Sequence, residues 1–210
     1  MRFSDLDCVT LDARGTLIEL VDPTSRLDLA LRARGLVRSR EEIGVAFRAE
    51  VAYYLPRATD GRDRSSLEAL RRDCAGVFLD ALVAPLEAEE FAGDFVAAIA
   101  FLPCPGVLRS LCELRARGIA IAVVSNWDVS LPVVLASLGL SDLLDLVVTS
   151  AEAGVAKPDP GIFAFALERL GVAPERALHI GDEESDRSAA RDAGMLFAPA
   201  PLVDVLARMA

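Results

Sequence analysis

Apolar and polar positions along the chain follow two rhythms. Residues 7 to 12 form a short apolar run with β-branched members, which predicts a strand. From about Asp22 to Ala100 apolar residues recur at helical spacing. Ile43, Phe47, Val51 and Tyr54 make one stripe; Leu67, Leu70, Cys74 and Val77 with Phe78 make another. Asp22-Pro23 reads as an N-cap followed by proline at the first helical position. Pro56, Pro85 and "PCPG" at 103–106 read as breaks. After Gly106 the rhythm alternates. Helices are expected over 107–117, 129–138, 159–170 and 185–193, closed by glycines at 118, 139, 171 and 194. Among them, "IAIAVVS" (119–125), "LLDLVVTS" (143–150) and "RALHIGD" (176–182) read as buried strands, with "MLFAPA" as a last strand.

Apolar strands alternating with helices imply a parallel sheet covered on both faces. The expected fold is therefore α/β: a doubly wound, Rossmann-like parallel-sheet core, with an all-helical insert after the first strand. The expected core is 1–19 with 101–210, and the insert is 20–100. A chain of 210 residues is long enough for both.

Composition narrows the picture. A hydrophobic fraction of 53 % supports a filled core and excludes a disordered chain. A net charge of −10 repels phosphate backbones, so no nucleic-acid partner is expected. No apolar run approaches the ~20 residues of a membrane span. The N-terminus "MRFSDLDCVTL" carries acids and does not read as a signal peptide. A cytoplasmic protein with no membrane partner is expected. Cys8, Cys74, Cys104 and Cys112 form no CxxC pair and read as reduced, buried thiols. Oligomeric state has no signature.

In open parallel sheets, ligands bind beyond the carboxyl ends of the strands. Asp12 ends the first strand. Ser125-Asn126 ends the second long one, Lys157 lies in the loop after the third, and Asp182 follows the fourth with Asp186 just beyond. Each has a simpler reading as a helix cap or, for Lys157, a solvated surface lysine; their convergence on one edge is the signal. Three ionised carboxylates together repel and need a cation. Hard oxygen donors at such an edge suit Mg²⁺, which also bridges to phosphate. Ser125, nearby backbone N–H groups and Lys157 would hold phosphate oxygens, because phosphoryl transfer rests on positioning and charge neutralisation. Asp12 is the carboxylate placed to act as nucleophile. His179 reads as a packed core histidine. Trp127 and Asp128 either line the pocket mouth or cap a helix.

Four segments, "TLDARGTL", "VVSN", "AKPDPGIF" and "HIGDEESD", stand in an order that resembles the haloacid dehalogenase-like (HAD) superfamily of hydrolases. The helical insert resembles a C1-type cap, which implies that residues of 20–100 set the substrate; Tyr53, Tyr54 and Arg57 are candidates. The resemblance implies that Asp12 is the nucleophile, and that its carboxylate, the Arg14 backbone carbonyl and Asp182 hold Mg²⁺, with Asp186 a further acid of that site. It implies that Thr16, Ser125, Asn126 and Lys157 organise the phosphoryl group of a small phosphorylated substrate. The chain departs from the family's phosphatases at Arg14, where a second aspartate usually acts as acid and base. A guanidinium keeps its proton and cannot do this. A branch of the superfamily looks similarly basic here. Arg14 has three candidate parts: a clamp on a substrate anion, a partner for Asp182, Glu183 or Asp186, or a contact toward the cap.

Three readings follow. One is a Mg²⁺-dependent phosphatase working through an aspartyl-phosphate on Asp12. Another is a catalytically weak or inactive HAD-fold binding protein, favoured by Arg14. The third is a 2-haloacid dehalogenase, a metal-free branch with no use for the acidic fourth motif.

Overall fold

A computed structural model describes residues 2–209; Met1 and Ala210, at the ends of the expected core ranges, lie outside the described residues. The chain divides into two compact units. One takes the chain up to Glu19 and again from Leu102; the other is Leu20–Phe101.

The first unit is built on a five-stranded sheet. Its strands are β1 (Cys8–Leu11), β4 (Ala120–Ser125), β5 (Leu146–Thr149), β6 (Ala177–Gly181) and β7 (Leu196–Pro199), in the order β5-β4-β1-β6-β7. All neighbours pair parallel, with Cys8 opposite both Ala120 and Ala177. β1, β4 and β6 are almost wholly buried, which explains their unbroken apolar runs. Helices α5 (Val107–Ala116), α6 (Leu131–Ser137), α7 (Ser150–Ala153), α8 (Gly161–Leu170), α9 (Glu184–Asp192) and α10 (Leu202–Met209) connect and follow the strands. One buried cluster gathers Cys8, Val124, Val148, Ile162 and Phe163. The strand order reverses around β1, so the crevice used by open α/β sheets lies at its carboxyl end, directly before Asp12.

The second unit contains α1 (Pro23–Ala33), α2 (Arg40–Tyr54), α3 (Arg64–Ala81) and α4 (Ala88–Ala98). Asp22 caps α1 by accepting from the Ser25 N–H at 3.1 Å, as the Asp-Pro signal predicts. Ser39 and Asp63 cap α2 and α3 in the same way. Phe78 stacks on Phe91 and tilts against Phe95 at the centre of this unit. Arg26 donates to the carbonyls of Ala97 and Ala98, satisfying orphan acceptors at the end of α4. The chain passes between units within a small two-stranded sheet, β2 (Ile18–Leu20) with β3 (Phe101–Pro103). Three residues each are too few for periodicity to reveal.

All four cysteines are free, but only Cys8 and Cys74 are buried. Cys112 is exposed, a correction to the expected burial: its neighbour Leu111 takes the core-facing position of α5. No helix among the described residues is long and apolar enough to cross a membrane.

Two glycines let acidic loops close on the sheet. Gly15 has φ +84°, and a Cβ there would lie 2.2 Å from Asp182 Oδ2. A Cβ on Gly181 would lie 2.4 Å from Asp186 Cγ and 2.7 Å from its Cβ. Gly181→Ala therefore has to move Asp186. It is expected to cost about 1–3 kcal/mol by overpacking, a fall of several degrees in melting temperature; an alanine variant melting with wild type would contradict this packing.

Glu50 is a carboxylate inside the helical unit, 7 % exposed. Burial pushes it up to about 7, with the Cys74 hydrogen bond offsetting part of the rise. The unfolded chain ionises a glutamate near 4.3. Stability from the neutral form is thus complete below that value and is lost as pH rises through about 7. The loss is on the order of 3 kcal/mol. Urea denaturation between about pH 4.5 and 7.5 should show Glu50→Gln gaining on wild type as pH rises; parallel curves would show that Glu50 ionises freely.

Candidate active site

Asp12 follows β1 directly and is 8 % exposed. Its backbone N–H donates to the Ile180 carbonyl, fixing the carboxylate between β1 and β6. Lys157 Nζ reaches it from the loop before α8. The ammonium donates to Asp12 Oδ1 at 2.6 Å, Asp186 Oδ1 at 2.5 Å and the Val124 carbonyl at 2.9 Å. Those three acceptors satisfy all three of its N–H groups. Lys157, expected at the site and with a solvated surface lysine as its simpler reading, is 5 % exposed. Burial alone would lower its pKa, but the charges of Asp12 and then Asp186 outweigh it and hold the ammonium above the usual lysine range.

Asn126 positions that lysine. Its side-chain N–H donates to the Lys157 carbonyl at 2.8 Å, and its Oδ1 accepts from the Lys157 N–H at 2.7 Å. Both ends of the amide are therefore engaged by the Lys157 backbone. Ser125 closes β4 opposite Thr149 and is 3 % exposed. Thr16 is 1 % exposed, and its hydroxyl is buried without a hydrogen-bond partner among the described residues. Trp127 and Asp128 belong to the turn after β4. The Trp127 N–H donates to Ser150 Oγ, and Asp128 accepts from the Ser130 N–H at 2.8 Å. Asp128 is 5 % exposed, and this bond closes the turn before α6.

Asp186, in the first turn of α9, is 1 % exposed. Its Oδ1 takes Lys157 and His179 Nε2 (3.1 Å), and its Oδ2 takes the Glu183 N–H at 3.0 Å. Burial opposes the charge, but the hydrogen bonds from His179 and Lys157 and the lysine charge override it, holding the carboxyl well below the usual range. Asp182 is exposed, and its carboxyl is raised by desolvation and then by the Asp12 charge. Carboxylate oxygens of Asp12, Asp182 and Asp186 lie within 4.8 Å of one another. Both oxygens of Asp186 already have donors, whereas Asp12 Oδ2 and Asp182 meet no protein cation among the described residues. These two are the groups with room for a divalent ion.

Arg14 donates from Nη2 to Glu183 Oε1 at 2.9 Å, with both side chains about half exposed. Of its three candidate parts, this is the pairing with an acid of the fourth motif, and it leaves Asp182 and Asp186 out. Such exposed pairs contribute about 0–1 kcal/mol.

His179 is core, as expected, at 0 % exposed. It is also joined to the site, a link that sequence reasoning missed. Its Nδ1 lies 2.9 Å from Thr10 Oγ1 while Nε2 meets Asp186. Thr10 and His179 are direct partners across β1 and β6. The available signal was a polar residue in each of two apolar strands, at equivalent places two or three residues before an acid.

A family model described as haloacid dehalogenase-like hydrolase matches residues 6–194. Haloacid dehalogenase-like hydrolase domain-containing protein 3 of Bos taurus is 34 % identical over 202 residues, covering 90 % of this chain and 80 % of the relative. Phosphoserine phosphatase of Thermus thermophilus is 39 % identical over 115 residues, covering 53 % and 46 %. L-2-haloacid dehalogenase of Xanthobacter autotrophicus, solved with chloropropionic acid covalently bound, superposes with a TM-score of 0.68 at 27 % identity, covering 93 % and 77 %. With the family match spanning most of its length and its parallel sheet ordered around Asp12, the chain belongs to the haloacid dehalogenase-like hydrolases.

Proposed function

We propose that the protein is a phosphatase of small phosphorylated metabolites that works through an aspartyl-phosphate on Asp12. The observation carrying this reading is the acidic cluster of Asp12, Asp182 and Asp186 with a single buried ammonium among them. Three carboxylates face one ammonium, so Lys157 does not neutralise the cluster. A divalent cation beside a phosphoryl group suits such a site. The phosphatase among its relatives supports the same reading.

Lys157 holds Asp12 Oδ1, so Oδ2 is the oxygen that attacks phosphorus. A P–O bond forms to Asp12 as the bond to the leaving alcohol breaks. Water then attacks the phosphorus, releases phosphate and restores the carboxylate. Lys157 keeps Asp12 aimed through its 2.6 Å hydrogen bond. Ser125 and the Thr16 hydroxyl, buried without a partner among the described residues, supply oxyanion contacts. Mg²⁺ held by Asp12, the Arg14 carbonyl and Asp182 would neutralise the phosphoryl oxygens. Asp186 acts through Lys157. The Arg14 guanidinium cannot protonate the leaving oxygen, so good leaving groups are favoured.

A second reading, a 2-haloacid dehalogenase, is favoured by the dehalogenase similarity over 93 % of the chain and by an aspartate nucleophile needing no second acid. Asp182 argues against it, since that chemistry makes no use of a metal-binding carboxylate.

Phosphate release from an activated aryl phosphate separates them. Turnover is expected with Mg²⁺, to vanish in EDTA and to vanish in Asp12→Asn. Silence of wild type on a broad phosphate panel, with halide release from 2-haloacids, would replace the phosphatase reading by the second. Arg14→Asp restores a carboxyl at the acid–base place. It is expected to raise turnover of alkyl phosphates by up to about 10²–10⁴-fold, with less gain on aryl phosphates. An equal effect on both classes would show that Arg14 does not stand in for the missing acid.

A further inference from the structure

The hydrogen bonds behind Lys157 form a line: Thr10 Oγ1, His179, Asp186, Lys157, Asp12. Every member lies at 8 % exposure or less. Asp12, at 8 %, is the most exposed of them. We propose that His179 is a positioning residue: its Nε2–H fixes the Asp186 carboxylate that seats Lys157 on Asp12, while the Thr10 hydroxyl fixes which ring nitrogen carries the proton.

The direction of each bond follows from the chemistry of its ends. An ionised carboxylate only accepts, so Nε2 must carry a proton toward Asp186 Oδ1. Lys157 already brings its positive charge to that same oxygen, and a second buried cation beside it is disfavoured. The ring is therefore neutral, and Nδ1 offers a lone pair. Thr10 lies 2.9 Å away with a rotatable hydroxyl and donates to it. Phe163 packs edge-on at 4.6 Å between centroids and fixes the ring plane.

Three donors then hold Asp186: Lys157, His179 and the Glu183 N–H. The Glu183 bond holds Oδ2. The Nε2 bond gives Oδ1 a fixed neutral donor, so its position does not depend on the flexible lysine alone. Without it the carboxylate turns about its side-chain bonds, and the lysine tip moves with it. The histidine needs no change of protonation for this task. Both ring nitrogens are cut off from water, and both have partners. A strand register that places Thr10 opposite the ring supplies one of them by construction.

The chain has a single histidine, so ¹⁵N-histidine labelling gives one imidazole spectrum. The expected result is a slowly exchanging proton on Nε2 and a bare Nδ1. A proton on Nδ1, or rapid averaging between the two, overturns the proposal. The kinetic test rests on the phosphatase reading. His179→Leu should lower kcat about 10–100-fold with KM changed less than about 2-fold, as for other partners that orient a site's ligands. His179→Gln, which keeps a donor toward Asp186, should recover most of the loss at matched thermal stability. A folded leucine variant with full kcat, or a glutamine variant no better than leucine, overturns the proposal. Should the leucine variant not fold, Thr10→Val keeps the shape and removes the hydroxyl. Lower kcat with Thr10→Ser restoring it supports the proposal; unchanged kcat together with an unchanged ring spectrum overturns it. A wild type silent on phosphate esters overturns the phosphatase reading, and the ring spectrum then decides this proposal alone.

Discussion

A lysine ammonium buried between two carboxylates organises the first unit's chemistry. Lys157 is removed from water, and its charge survives only because Asp12 and Asp186 face it at hydrogen-bond distance. Neither carboxylate belongs to the same stretch of chain: one follows β1, the other begins α9. Removing the lysine would leave two buried carboxylates with no cation between them, which is strongly destabilising in proteins generally. This constraint explains several neighbours at once. Asn126 grips the lysine's backbone at both polar atoms. The Val124 carbonyl takes the third N–H. Gly181 leaves room for Asp186 to lie against β6.

The fold was largely legible because its signals are local. Glycines after helices, the Asp22-Pro23 cap and the apolar runs of β1, β4 and β6 each depend on residues close in sequence. Helix and strand ends shift by a few residues; the expected helix over 129–138, for example, is Leu131–Ser137. What escaped is short or remote. β2 and β3 have too few residues for a period, and their pairing joins segments some eighty residues apart in the sequence.

The site was legible in membership more than in wiring. Strand ends bring Asp12, Ser125, Lys157, Asp182 and Asp186 to one edge, and topology alone predicts that. Which atom meets which depends on side-chain reach across the sheet. Asn126 turned to backbone, Asp186 became saturated with donors, and Arg14 found Glu183. Glu50 gave no signal either, because a glutamate on the buried face of α2 looks like any helical glutamate until the packing is known.

The central place of β1 has a consequence for how the chain folds. Cys8 pairs with Ala120 on one side and Ala177 on the other. The strand that precedes Asp12 is made before β4 and β6 and must wait through the whole helical segment for its first partner, and longer for its second. Closure of so long a loop is opposed by chain entropy, and such non-local pairing slows folding. The helices of residues 20–101 pair mainly with near neighbours, so they gather early and bring the ends of that loop together. During synthesis β1 is an apolar strand with both edges open, the condition under which strands find the wrong partner. Placing Asp12 at the end of a strand paired on both sides secures its position in the finished protein and makes that strand wait for both partners.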